Sequence, residues 1–379
     1  MGNKKPPFRA DHVGSLLRPP GIKDARSAAG ATELTKSGFS TNEALRRVED
    51  DAIKNVVALQ ESVGLQAVTD GEYRRSFWHY DFMGALDGLD LVERSEAGVQ
   101  FHGVNLRPIF PTISGRLSFP DNHPMLGHFR YLDSITALTP KISIPGPSAC
   151  HFRTAPDDIA PDAYQDPEVL FDDIAQTYRQ AVHAFYDAGC RYLQMDDIFF
   201  AYLCDPMQRA EKTKQGQDPD WLISKYAEMM NKAIVDRPDD MVIAMHLCRG
   251  NFRSTWAADG AYDPAADAVF NQTDVDIYFM EYDSDRAGGL EPLRLLPKGK
   301  KRVLPGFITT KTPELESIDG LKCRFDEASQ YVDIDQLGIA PQCGFASTEE
   351  GNELSEDDQR RKLELVVQVA EEIWGGVAQ

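Results

Sequence analysis

Residues 241–250 read MVIAMHLCRG, an apolar, β-rich run that stops at a histidine and a cysteine one residue apart. Successive strand residues face opposite sides, so His246 and Cys248 share a side, roughly 6–7 Å apart. One metal ion can bridge that gap, because Zn–N and Zn–S bonds are about 2.0–2.3 Å long. Two later runs end the same way: VDIYFMEYDS (275–284) at Glu281 and LGIAPQCGF (337–345) at Cys343. A thiolate pair with one imidazole favours zinc over magnesium or calcium. For any single member, a buried cysteine or a core histidine is the commoner explanation. Four such residues at the ends of three strand-like runs outweigh it.

Working outward from these runs, eight short apolar segments can be counted: 10–15, 66–70, 141–146, 191–196, 242–247, 276–281, 302–308 and 336–341. Between several of them lie helix-period stretches, at 42–62, 167–188, 219–235 and 355–374. Thr41 stands as an N-cap before the first, and Gly64 and Gly189 follow the first two. Strand alternating with helix eight times predicts a parallel (β/α)8 barrel of the TIM type, a single domain over 1–379. Two insertions lengthen the repeat. One is a Gly/Ser/Ala-rich loop over 21–40, after strand one. The other is a hairpin excursion over 90–135, after strand two. An open doubly wound sheet is the competing α/β layout, but no Gly-rich phosphate loop follows the first strand. In a barrel the active site lies at the C-terminal strand ends. Ser15, Asp70, Glu72, Asp196, Asp197, His246, Cys248, Glu281, Lys311 and Cys343 would therefore share one mouth.

The 379 residues include 40 basic and 60 acidic ones, a formal charge of −20. That balance opposes nucleic acid and anionic membrane as partners and suits a soluble enzyme. MGNKKPPFRADHVGS has no apolar core of a signal peptide, and no run of about 18 apolar residues exists to span a bilayer. Met1-Gly2 is not a myristoylation signal, since Pro stands at position six. The six cysteines are scattered without framework spacing, so reduced thiols in the cytoplasm are expected. Asp196-Asp197 is not read as a catalytic pair, because neighbours on a strand face opposite ways. His12 lies beside the expected pocket, and structural support and substrate contact are equally good readings of it. His79, His151 and Tyr202 are read first as packed or satisfied side chains.

Taken together, the motifs resemble the cobalamin-independent methionine synthase family, specifically a single-barrel branch similar to its C-terminal catalytic domain. The resemblance runs from RADHVGSLLRP to LGIAPQCGFAS. The family's zinc motif falls on His246, Cys248, Glu281 and Cys343. Its Gly-Ser falls on Gly14-Ser15, its Gly-Glu on Gly71-Glu72, and its Gln-x-Asp on Gln194-x-Asp196. The resemblance implies a zinc cofactor, homocysteine as the thiol acceptor, and Ser15, Glu72 and Asp196 holding its amino-acid end. The methyl donor stays open between methyltetrahydrofolate and another donor, a methyl-carrier protein included. The family's proton-donating His falls on Lys311, in Lys-Thr-Pro, where the lysine serves as an acid or as an anion binder. The stacking Trp expected after Gly-Pro has no equivalent in GPSACHFRT; Phe152, or Trp78 with Phe77, His79 and Tyr80, offers stacking instead.

The chemistry agrees with the residues. A thiol of pKa near 8.5 is mostly protonated at neutral pH, and coordination to zinc ionises it. Glu281, the hardest ligand, is the one to leave when a substrate sulfur arrives. Two rivals are alkyl transfer to another thiol, such as epoxide opening by coenzyme M, and a silent zinc- or thiol-binding protein. A sulfonate acceptor has no ammonium and would favour cations over Glu72 and Asp196. The sequence carries no signature of an oligomeric state.

Overall fold

The computed structural model describes residues 5–30, 42–95 and 100–378. Its centre is a five-stranded parallel sheet of β1 (Ile142–Pro145), β2 (Tyr192–Asp196), β3 (Val242–Leu247), β4 (Ile277–Glu281) and β5 (Arg302–Gly306), adjacent in chain order. These strands are buried on both faces, apart from half-buried Val242, which explains their nearly continuous apolar sequence. Parallel neighbours need a crossover, and the helices Pro167–Asp187 and Pro219–Ile234 supply two of them. The register sets Asp196 opposite His246 and Glu281 opposite Gly306, so the polar strand ends come level.

The other apolar runs join by fewer bonds. Ala67–Val68 pairs in parallel with Thr139–Pro140, and Lys141 N donates to Val68 O at 2.8 Å. Runs 10–15 and 336–341 meet through the parallel bridge Ala10–Ile339, and the latter meets β5 through Val303–Leu337. Ile308–Pro341 adds a bridge beyond it, where proline has no N–H to extend a ladder. The chain is therefore a mixed α/β fold on a parallel sheet. Phe8, Val13, Ala67, Tyr192, Ala244, Ile277, Phe279, Leu304 and Ala340 pack into one apolar plug. Lys141 fills the place beside it. Its ammonium lies 4.7 Å from the Phe279 ring centroid and 5.2 Å from that of Tyr192, and pairs with Asp11 at 2.8 Å.

The helix Glu43–Ser62 is capped by Asn42, whose side chain accepts from Ala44 N and Leu45 N. The expected cap, Thr41, lies outside the described residues. Its buried face, Leu45, Glu49, Ala52, Ile53, Val56, Val57 and Gln60, follows the helical period. The last helix, Glu356–Trp374, opens on a capping box between Ser355 and Asp358.

Both insertions differ from expectation. In the first, Pro20–Ala28 is a helix rather than loop, begun by proline at its first position and anchored by buried Ile22 and Arg26, while 31–40 lie outside the described residues. In the second, Asp87–Glu93 pairs antiparallel with Ile109–Ser118, and a short hairpin joins Gln100–Phe101 to Val104–Asn105. Pro124–Ile135 is a helix instead of part of the hairpin, because Met125, Leu126, Phe129 and Leu132 recur on one buried face. Among the described residues no helix is long and apolar enough to cross a membrane.

Candidate metal centre and adjoining pocket

His246 near the end of β3, Cys248 just beyond it and Cys343 after the last apolar run converge, all buried. One donor atom from each lies within 4.8 Å of the others, and the two sulfurs are 3.9 Å apart. Two thiolates on one tetrahedral zinc would stand about 3.8 Å apart, so the pair already has the spacing the ion needs. Protonation favours the same chemistry. The Cys343 thiol is held well below its ordinary value by hydrogen bonding with Cys248, against burial, with His246 adding to the effect. Burial pulls His246 down, yet Asp196 and Cys343 raise it to about 10. A buried thiolate beside an imidazolium is a site whose proton a soft cation would replace.

Glu281 stands beside this trio rather than within it. Its Oε2 accepts from Arg249 N at 2.7 Å, and its Oε1 accepts from Arg286 and, at 3.4 Å, from Lys311 Nζ. Burial opposes its charge, but Lys311, Arg249 and Arg286 outweigh burial and hold the carboxyl at about 2. Lys311 also bonds Asp283 at 3.3 Å, and it does not line the pocket. The three groups that hold Glu281 lie 32, 5 and 30 residues away in the chain, which is why the motif alone does not reveal them.

The trio opens into a pocket of about 570 Å³, counting its mouth, that Ser15, Glu72, Trp78 and Asp196 also line. Glu72 sits in a tight turn with φ +61°, after Gly71 at +66°. Its N donates to Asp70 Oδ1 at 2.9 Å, and its Oε1 accepts from Ser143 Oγ at 2.7 Å. Its Oε2 is 3.5 Å from Arg75 and has no hydrogen-bond partner. Burial raises Glu72 to about 7, with Arg75 opposing and Asp196 contributing. Asp196 Oδ1 accepts from Gln194 Nε2 at 2.7 Å and lies 3.3 Å from His246 Nδ1. Asp197 points the other way, onto Ser148, as strand alternation requires. Ser15 Oγ accepts from Ala346 N at 3.3 Å, and a Cβ on Gly344 would collide with that hydroxyl. Glycine after Cys343 is thus what lets the two segments approach.

Trp78 lies at the pocket wall, stacked on His79 at 4.4 Å. His12 does not line the pocket, whereas Val13 and Ser15 do, which favours structural support of the two readings. Burial first and Lys141 second lower the His12 pKa to about 3. Arg75 is the arginine on Glu72, whereas its neighbour Arg74 pairs with Glu49 and Asp50. Ser143 and Arg153, both unremarked in the sequence, belong to this site; Ser143 was recognisable only as a polar residue inside an apolar run.

Known proteins resemble this chain over nearly its whole length. Residues 12–372 match the model of the cobalamin-independent synthase catalytic domain. The chain is 45% identical to the Bacillus subtilis protein YxjG over 99% of its length and 97% of that protein. It superposes on the crystal structure of a putative vitamin-B12 independent methionine synthase from Listeria monocytogenes with a TM-score of 0.75, at 36% identity. That match covers 98% of this chain and 100% of the other. A more distant relative is the 5-methyltetrahydropteroyltriglutamate–homocysteine methyltransferase of Corynebacterium glutamicum, 25% identical over 88% of this chain but only 40% of that enzyme. With the family model matched over residues 12–372 and the fold shared over nearly the whole chain, the chain belongs to the cobalamin-independent methionine synthase family, through its catalytic domain.

Proposed function

We propose that this protein is a zinc-dependent S-methyltransferase that methylates the thiol of homocysteine to form methionine. The observation that carries the reading is the convergence of His246, Cys248 and Cys343 on a pocket that also holds two acids, Glu72 and Asp196. His246, Cys248 and Cys343 would hold the ion, with Glu281 as the fourth ligand in the absence of substrate. Bound zinc supplies a substrate sulfur kept as thiolate at neutral pH. Glu72 and Asp196 receive the acceptor's ammonium, and Glu72 Oε2, which no group hydrogen-bonds, is the acceptor for it. Ser15 orients the acceptor from the other segment. Trp78 offers a face to the donor, which we leave open between methyltetrahydrofolate and another methyl donor. Lys311 serves from behind, holding Glu281 in place, and would so set how available that carboxylate is to an ion held by the trio. Orientation of two bound reactants supplies much of the acceleration in such a site.

For the scaffold we infer the closed (β/α)8 barrel, one domain over 1–379, with the Asp87–Ser118 excursion as an insertion. The single bridges at Ala10–Ile339 and Val303–Leu337, and a plug drawn from seven of the eight runs, support it. The acidic surface and the soluble character of the family favour a cytoplasmic protein. Alkyl transfer to coenzyme M is the weaker reading, since a sulfonate would meet Glu72 and Asp196.

The test is metal analysis of purified protein, followed by homocysteine titration of a cobalt-substituted sample. One equivalent of zinc and a new sulfur-to-cobalt charge-transfer band are expected. Absence of metal would refute the site, and metal without a response to homocysteine would refute the acceptor.

A further inference from the structure

Arg153 stands at the end of the short helix Ser148–Phe152 and lines the same pocket as the sulfur ligands. Its guanidinium lies 5.2 Å from the Phe199 ring centroid and 5.7 Å from that of Tyr202. No carboxylate pairs with it among the described residues, and its buried Nε has no hydrogen-bond partner. The arginines nearby differ. Arg75 is paired with Glu72, Arg286 with Glu281, and Arg18 donates to four backbone carbonyls. Two other polar groups of the pocket wall share the condition of Arg153. Tyr202 is 1% exposed with an unbonded hydroxyl, and His79 is 1% exposed with neither ring nitrogen bonded. Burial first, and the charge of Arg153 second, keep His79 neutral, so its ring retains one N–H to donate.

Buried polar groups are almost always paired, so three unpaired ones on one pocket wall need an explanation. All three can donate hydrogen bonds, and one carries a positive charge. The wall complements an anion with planar acceptors, the geometry a guanidinium binds best. We propose that Arg153, with Tyr202 and His79, forms a carboxylate-recognition subsite of this pocket, separate from the Glu72–Asp196 pair that takes the ammonium. This rests on the reading of the pocket as an amino-acid thiol site. The carboxylate belongs either to the amino acid itself or to the methyl donor.

The experiment is equilibrium binding to the full chain, wild type, Arg153→Gln and Arg153→Lys, with thermal melting to verify folding. The probes are L-methionine, its decarboxylated analogue 3-(methylthio)propylamine, and 5-methyltetrahydropteroyltriglutamate with L-methionine saturating. If the amino acid supplies the carboxylate, Arg153→Gln binds L-methionine about ten- to a hundredfold more weakly. The amine probe is then unaffected, and Arg153→Lys lies between. If the donor supplies it, L-methionine binding is unchanged and only the pteroyltriglutamate weakens. Wild-type binding with no loss of either probe in a folded Arg153→Gln protein overturns this inference alone. A wild type that binds none of the probes overturns the amino-acid reading with it.

Discussion

Two buried polar clusters in this molecule are built to opposite specifications. In the plug between the strands, Lys141 is bonded to Asp11 and to the His12 carbonyl, and Asp11 also accepts from Tyr192 at 2.6 Å. Every polar atom of that Lys–Asp–Tyr group has a partner. At the strand ends, the Tyr202 hydroxyl and both His79 nitrogens have none, and Glu72 Oε2 has no hydrogen bond, only an ion-pair contact with Arg75 at 3.5 Å. Desolvating a polar group costs free energy unless a partner replaces the water. A saturated cluster therefore serves the fold, and an unsaturated one beside a cavity is held ready for a ligand.

The largest expected effect lies in the saturated cluster. Lys141→Met leaves Asp11 buried without its cation, and a loss of about 3–5 kcal/mol in unfolding free energy is expected. Urea denaturation measures it, and a loss within about 1 kcal/mol would show that this pair is no keystone of the plug. At the pocket the loss should fall on ligands rather than on folding. Cys343→Ala should reduce bound zinc from one equivalent to near zero by elemental analysis; full occupancy in that variant would remove Cys343 from the ligand set. Glu72→Gln should keep its zinc but bind L-methionine about tenfold more weakly.

The smallest effect is one of pH. Glu72 titrates near 7, so it is partly protonated at neutrality in the free protein. An ammonium ligand favours its carboxylate form, so binding below pH 7 must release a proton. Affinity for L-methionine should accordingly rise several-fold between pH 6 and 8, and Glu72→Gln should flatten the profile. A wild-type profile that is already flat would assign the ammonium to Asp196 alone.

Much of this was legible in the sequence for definite reasons. Buried parallel strands must be apolar, so each of the eight runs marks a strand or bridge position. The polar residue that ends a run is conspicuous by contrast. Helices were legible where one apolar face repeats over many turns, as in Glu43–Ser62, and were missed where they are short, as in Pro20–Ala28. For His12 the sequence left structural support and substrate contact open, because a position near the pocket says nothing of which side the ring takes. Arg153 gave no signal, since an arginine after a short helix is unremarkable until its missing partners are known.

What the sequence determined by itself was chemical: sulfur and imidazole donors, pocket acids, and strands to carry them, because residue type and local period are properties of the chain alone. Tertiary structure decided which of them meet. Cys248 and Cys343 are 95 residues apart, and Asp196 faces His246 only because two parallel strands pair in that register. It also decided that Glu281 is caged by Arg249, Arg286 and Lys311 while Arg153 is left unpaired. Ion pairing and desolvation depend on distances between segments remote in the chain, and those distances exist only once the chain has folded.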